Sequence, residues 1–244
     1  MAKVYLSPAY HRFNPCAVAG CDETTHNNLY LDELEVFLTA CGIAWKRGPR
    51  RVPNSNEDGD VLMRRAVAES DAWGAEVHYV SHTNASGNTV GEGTAQGYRP
   101  IIFQGSQRGE RLALFMTQRR REVYDGQVSL NRRTDLYELR EPRAVSYYEE
   151  HVFHDNPADA QWFHDNLRSV ARSAAKGLCD YFNLPFVEPY TVADPPQEEE
   201  VPTESAPLYR VQVGAFRSRS GAEALLREVR AAGFGGAFIA TVEQ

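Results

Sequence analysis

The chain has 244 residues, 42% of them apolar and 24% charged, with a net charge of −7. That is a globular composition, long enough for one medium domain plus a small one, and its acidic balance argues against a nucleic-acid binder that works through a general basic field. No apolar run is long enough for a membrane span or a signal peptide. The expected place of synthesis is therefore the cytoplasm, with lysis as the exit if the target lies outside.

The pattern alternates strands and helices from the start. Residues 3–6 read as a buried strand, ended by Ser7 and Pro8. A polar loop over 9–22 follows, carrying His11, Asn14, Cys16 and Cys21. Glu23 opens a helix whose apolar face is Tyr30, Leu34, Phe37, Leu38 and Cys41, at helical spacing. Gly42 is its stop signal. A second strand is expected over 43–46, a Gly/Pro/Asn-rich loop over 47–60 and a second helix over 61–71. Residues 77–81 form a third strand that ends in His82, followed by a polar loop. In an open α/β sheet, reactive groups gather at such strand ends.

Residues 92–103 suggest a strand pair or one interrupted strand. Residues 109–123 suggest an amphipathic helix with Leu112, Phe115, Met116 and Val123 inward. Its basic run 119–121 reads as a solvated face that favours the helix dipole. A short strand is expected at 135–139. Another over 144–148 delivers Glu149 and Glu150 at its end, on opposite faces because side chains alternate. Asn156 and Pro157 are an N-cap and a first helical residue, and one helix is expected from there to Phe182. The fold class expected is α/β, a mostly parallel twisted sheet with helices on both faces. No two cysteines form a CxxC pair, which argues against a structural zinc ribbon. Cys41 and Cys179 fit buried thiols.

Residues 187–207 are rich in Pro and Glu and read as an extended linker. Residues 208–244 change character: a strand-like stretch over 209–216, a helix over 220–232 and a strand over 237–242. That β-α-β unit is small for independent stability.

The chemistry sits at the strand ends. Glu23, His82 and His11 are candidates to hold one metal. Two His and one carboxylate, with a fourth position open to water, is a catalytic zinc pattern. Zinc there would acidify a water and polarise a carbonyl, with Glu150 as general base. His26, His78 and His164 read as structural or surface residues. His151 lies beside Glu150 in sequence and is a candidate substrate contact.

The segments SPAYHRFN (7–14), Glu23 nineteen residues before Gly42, SHTNAS (81–86) and AVSYYEEHVFHDNPADA (144–160) together resemble the zinc N-acetylmuramoyl-L-alanine amidases of the type-3 family, over residues 1–183. That resemblance implies hydrolysis of the amide between the lactyl group of N-acetylmuramic acid and the first L-Ala of the peptidoglycan stem, by zinc-activated water. It implies Glu23 and His82 as zinc ligands and Glu150 as the catalytic carboxylate. The family's first ligand His stands between glycines, two residues after the Pro. Here Tyr10 holds that place and His11 is one residue later, so His11 is the first candidate for the third ligand. His154 is the alternative, and two protein ligands plus water is a further one.

The tail segments YRVQVGAF (209–216), AEALLREVRAAGF (222–234) and AFI (237–239) resemble half of a sporulation-related (SPOR) peptidoglycan-binding repeat. Two such tails could pair between chains as a homodimer. The organisation expected is a zinc amidase domain over 1–186, a linker over 187–207 and a wall-binding half module over 208–244. An endolysin or a sporulation mother-cell lysin fits the absence of a signal peptide. The rival readings are an inactive wall-binding protein on an amidase fold and a zinc peptidase of the stem peptide.

Overall fold

A computed structural model describes residues 2–11, 13–50, 57–87, 89–189, 212–216, 218–231 and 238–241. The chain divides into two compact units, Met1–Thr191 and Val192–Gln244.

The first unit is built on six strands: β1 (Lys3–Pro8), β2 (Ala44–Arg47), β3 (Val77–Asn84), β4 (Arg99–Phe103), β5 (Asn131–Arg133) and β6 (Val145–Phe153). Their order across the sheet is β2-β1-β3-β6-β4-β5. β1 pairs in parallel with β2 and β3, β3 with β6, and β4 with β5. β4 and β6 pair antiparallel. The sheet is thus mostly parallel, with helices flanking it, as the alternating pattern predicts.

Among the described residues, six helices belong to this unit: α1 (Glu23–Ala40), α2 (Gly59–Trp73), α3 (Gln107–Arg120), α4 (Tyr137–Arg140), α5 (Pro157–Asp165) and α6 (Leu167–Phe182). Their starts are set by local chemistry. Asp22 accepts from Thr25 N at 2.7 Å, Ser106 from Gly109 N at 3.0 Å, and Asn156 from Ala158 N at 2.9 Å. Such caps satisfy amides the helix leaves open and contribute about 1 kcal/mol each.

The two sheet faces bury different sets. Val4, Leu6, Val77, Tyr79, Val145 and Tyr147 pack with α1, α3 and α6 in the main core. Tyr5 packs with Leu62 and Ala66 of α2, and Val80 and Tyr148 pack with Leu139 of α4. The alternation holds along β1, along β3 as far as His82 and along β6 as far as His151, beyond which the β3–β6 register shifts and Val152 also joins the main core. It puts His82 and Glu150 on the α2/α4 face, and Glu149 and His151 on the main-core face.

Four expectations change. The final helix is two helices, α5 and α6, broken at Asn166, whose backbone (φ −117, ψ 14) is not helical. Residues 92–97 form no strand, because they wrap Asp155 instead. Gly91 N and Gly93 N both donate to the Asp155 carbonyl, at 3.0 and 3.1 Å. A Cβ at Gly93 would lie 2.7 Å from Asp155 Cγ, so only glycine permits that approach. The expected strand at 135–139 is the helical turn α4, preceded by the short β5. Adjacent Glu138 and Leu139 are both buried, which a turn allows and a half-buried strand does not. Finally, Arg120 is not on a solvated face. It is 1% exposed, because Leu112, Met116 and Arg120 stand four residues apart on one inward stripe of α3. Its neighbour Arg119 does lie outside and pairs with Asp180 at 2.7 Å.

The first residues of the expected linker pack on this unit. Val187 N donates to Cys41 Sγ at 3.3 Å, and Glu188 pairs with Arg172 at 2.9 Å. Cys41 and Cys179 are buried thiols.

The second unit contains α7 (Arg219–Ala231), where a helix is expected. The strands expected at 209–216 and 237–242 fall partly outside the described residues. Their described portions, 212–216 and 238–241, have no assigned regular structure.

Candidate active site

The site forms where the carboxyl ends of β1 and β3 meet the start of α1. The main-chain bend after β1 brings His11 to this point. Asp22 caps α1, which fixes the next residue, Glu23, at the helix mouth. β3 runs three residues further than its apolar pattern suggests and carries His82 inside the strand. The structure brings His11, Glu23 and His82 together: one ligand atom from each lies within 4.8 Å of the others.

Glu23 is the hub. Its Oε1 faces His82 Nδ1 at 2.9 Å and accepts from Thr83 N at 2.9 Å. Its Oε2 accepts from Asn14 Nδ2 at 2.6 Å and lies 3.5 Å from His11 Nε2. The carboxylate is 1% exposed. Burial alone would raise its pKa, but His82, His11 and the Thr83 amide outweigh burial and hold it at about 2. Burial lowers His82 in turn, and Glu23 more than offsets this, leaving its pKa raised. The His11 and His82 rings meet edge to face at 5.3 Å. Thr24 Oγ1 donates to the His11 carbonyl at 2.8 Å, which ties the loop to α1.

Glu150 stands opposite His82 in the β3–β6 register. It is half-buried, and its Oε2 is covered without a hydrogen-bond partner among the described residues. Burial is the main cause that raises its pKa to about 7, with His82 pulling the other way. A carboxyl that titrates near neutrality can both take and give a proton.

His154 does not join the cluster. Its Nδ1 lies 3.0 Å from Thr83 Oγ1, and its carbonyl accepts from Ala17 N at 2.8 Å. It positions the loop and the strand rather than offering a ring nitrogen beside Glu23. His151 is no substrate contact. It is fully buried on the other face, with Nε2 2.9 Å from Ser81 Oγ and Nδ1 3.0 Å from Arg120. His78 is also buried, 3.1 Å from Glu138.

Sequence reasoning missed two supports of the site. Asn14 orients Glu23, and the signal was its place in the SPAYHRFN segment. Tyr148 stacks on His82, with ring centroids 4.7 Å apart and planes at 21°. The signal there was strand phase, since Tyr148 stands two residues before Glu150 and shares its face.

Comparisons with known proteins find relatives of both units. The SPOR domain family matches residues 194–243, a longer stretch than the tail segments alone. N-acetylmuramoyl-L-alanine amidase CwlM of Bacillus licheniformis is 26% identical over 182 residues, which is 72% of this chain and 62% of CwlM. The chain thus spans less than two thirds of that relative. The sporulation-specific N-acetylmuramoyl-L-alanine amidase of Bacillus subtilis (strain 168) is 24% identical over 240 residues, 96% of this chain and 83% of that protein. Among solved structures, the catalytic domain of CwlV, an N-acetylmuramoyl-L-alanine amidase from Bacillus (Paenibacillus) polymyxa, superposes with a TM-score of 0.63 at 17% identity. The match covers 76% of this chain and all of that domain. In sequence and in fold, the first unit is similar to N-acetylmuramoyl-L-alanine amidases.

Proposed function

We propose that this chain is a peptidoglycan hydrolase that cleaves the amide between N-acetylmuramic acid and L-alanine, with one zinc ion held by His11, Glu23 and His82. The observation that carries the reading is the convergence of two imidazoles and an ionised carboxylate beside a carboxyl that titrates near neutrality. The donor set fits the metal: two nitrogens and one oxygen leave a fourth position open, and a pKa of about 2 keeps Glu23 deprotonated, as a ligand must be. Zinc bound there supplies Lewis acidity to the scissile carbonyl and lowers the pKa of a water.

The chain's own residues do the rest. Asn14 and Thr83 N hold both Glu23 oxygens, and Tyr148 fixes the His82 ring. Glu150 takes the proton of the attacking water and delivers it to the departing L-Ala nitrogen. The proton thus moves from oxygen to amine through one carboxyl, and the amide C–N bond is exchanged for a C–O bond and an N–H bond. The C-terminal SPOR match supports a role in binding the peptidoglycan substrate, and the sporulation-specific relative supports a lysin of the sporulation type.

The test is digestion of purified sacculi with identification of the new amino terminus. Free L-Ala amine supports the amidase. A terminus within the stem peptide would make the protein a peptidase. No release together with normal zinc content would leave an inactive wall-binding fold. His82→Ala should lose both the metal of this site and activity.

A further inference from the structure

A second group of metal-ligating side chains lies away from the site just described. Cys21 comes from the loop before α1, His26 from the first turns of α1, and His164 from the end of α5. One ligand atom from each lies within 4.8 Å of the others. We propose that Cys21, His26 and His164 form a second divalent-metal site, of the zinc class, which staples the loop before α1 to α5.

The geometry is close to that of an assembled site. His26 Nε2 and His164 Nδ1 are 3.1 Å apart. Two nitrogens bound tetrahedrally at zinc distances would stand about 3.3 Å apart, so the separation already matches, and a metal would replace the contact between the two rings. A hydrogen bond between two neutral imidazoles accounts for the pair, but not for a thiol placed beside both. His26 is 1% exposed, and its ring meets Phe163 edge to face at 6.0 Å. His164 is exposed and Cys21 half-buried, so the fourth position opens to solvent.

Cys21 is also held in place. Its N–H donates to the Val18 carbonyl at 3.3 Å and its carbonyl accepts from Cys16 N at 3.2 Å, closing a tight loop, while Pro15 bridges Asp22. One thiolate and two imidazoles, with a fourth position left open, form a soft to borderline set that suits zinc rather than calcium or magnesium.

The His26 imidazole is available as a neutral donor. Burial and the neighbouring His164 lower His26 to about 4. Burial pushes the Cys21 thiol up to about 11, so metal binding must displace its proton. The S–H bond breaks, the proton leaves to water, and the sulfur lone pair goes to the metal. No electron is transferred. The stapled loop, residues 15–22, joins His11 to Glu23. A metal here would therefore hold in register the two chain segments that supply ligands to the first site.

Cobalt(II) tests this on the full chain, because the first site contains no sulfur. Metal-free protein is loaded with Co²⁺ and its near-ultraviolet absorption is recorded for a thiolate-to-cobalt charge-transfer band. The band is expected in the wild type and in Glu150→Gln and Cys16→Ser, weakened in His164→Ala, and lost in Cys21→Ser. Zinc analysis should give two ions per chain in the wild type, one in Cys21→Ser and one in His82→Ala. Absence of the band in the wild type overturns the second site, as does a band that survives Cys21→Ser. A His82→Ala variant that keeps both zinc ions would instead overturn the first-site assignment and leave the second standing.

Discussion

At Glu23 the balance between burial and charge decides what the residue can do. A carboxylate this buried would ordinarily take up a proton. Four groups prevent that: two imidazoles, one amide N–H and the Asn14 side chain. Groups that orient a metal ligand typically carry about 10–100-fold in metal affinity. Asn14→Ala should therefore weaken zinc binding by that factor while leaving the fold intact, measured by competition with a chelator. Unchanged affinity would mean that Asn14 is only a loop residue. Glu150 is the opposite case, a carboxyl whose burial is opposed only in part, by His82, so that it titrates near neutrality. Glu150→Gln keeps its shape and should keep zinc, yet turn over soluble muropeptide at least about a hundredfold more slowly. His82, Glu23 and Glu150 were legible from the sequence because the apolar pattern marks the course of β3, α1 and β6, although β3 and β6 run on past His82 and Glu150, to Asn84 and Phe153. Between His11 and His154 the pattern could not choose. The choice depends on how the loop after Pro8 bends, and no periodicity encodes that bend.

At the scale of elements, β6 separates two chemistries by strand phase alone. Glu150 looks toward His82, while Glu149 and His151 look into the main core. There Glu149 meets Tyr30, Tyr79 and Tyr98, with Arg120 at 3.5 Å. The Arg120 guanidinium also lies over the Tyr98 ring, 4.2 Å from its centroid. A basic run at a helix end reads as solvated. Only the four-residue spacing from Leu112 through Met116 marks Arg120 as inward. Burial holds the Glu149 carboxyl well above its ordinary pKa range, so it stands beside Arg120 as a polar partner rather than as a carboxylate. Leaving such buried groups without a partner typically costs about 1–3 kcal/mol. Arg120→Met should lower the unfolding free energy by that amount in denaturant titration, with turnover per folded molecule retained. A change below about 1 kcal/mol would show that the guanidinium is not needed by its buried partners. His151 adds a pH signature. Burial, then Arg120, hold its pKa well below the ordinary imidazole range, so it stays neutral in the fold. In the unfolded chain it takes a proton below about pH 6.5. The stability it contributes is thus present above that pH and lost as the pH falls. His151→Gln should flatten the acid limb of the stability profile, and an unchanged limb would refute the assignment.

At the scale of the whole chain, the proposed function assigns different tasks to the two units. The first holds every residue of the proposed chemistry, and its sheet order was largely readable because strands alternate with helices and parallel pairing follows from that alternation. The antiparallel β4 was not readable. It follows an irregular stretch whose path is set by the Asp155 backbone rather than by side-chain pattern. The second unit begins at Val192, and the SPOR match at 194–243 lies wholly within it. A tethered binding unit raises the local concentration of the catalytic unit at an insoluble surface without new contacts at the active site. It does nothing for a small soluble substrate, which one site binds alone. A chain truncated after Thr191 should therefore cleave soluble muropeptide at the wild-type rate. Its binding to intact sacculi should fall by about 10²-fold or more, the usual scale of a lost second attachment. Sedimentation with sacculi measures the second quantity, and product release from a purified muropeptide measures the first. If truncation slows the soluble reaction, the second unit takes part in the chemistry; if sedimentation is unchanged, the wall is held by the first unit alone.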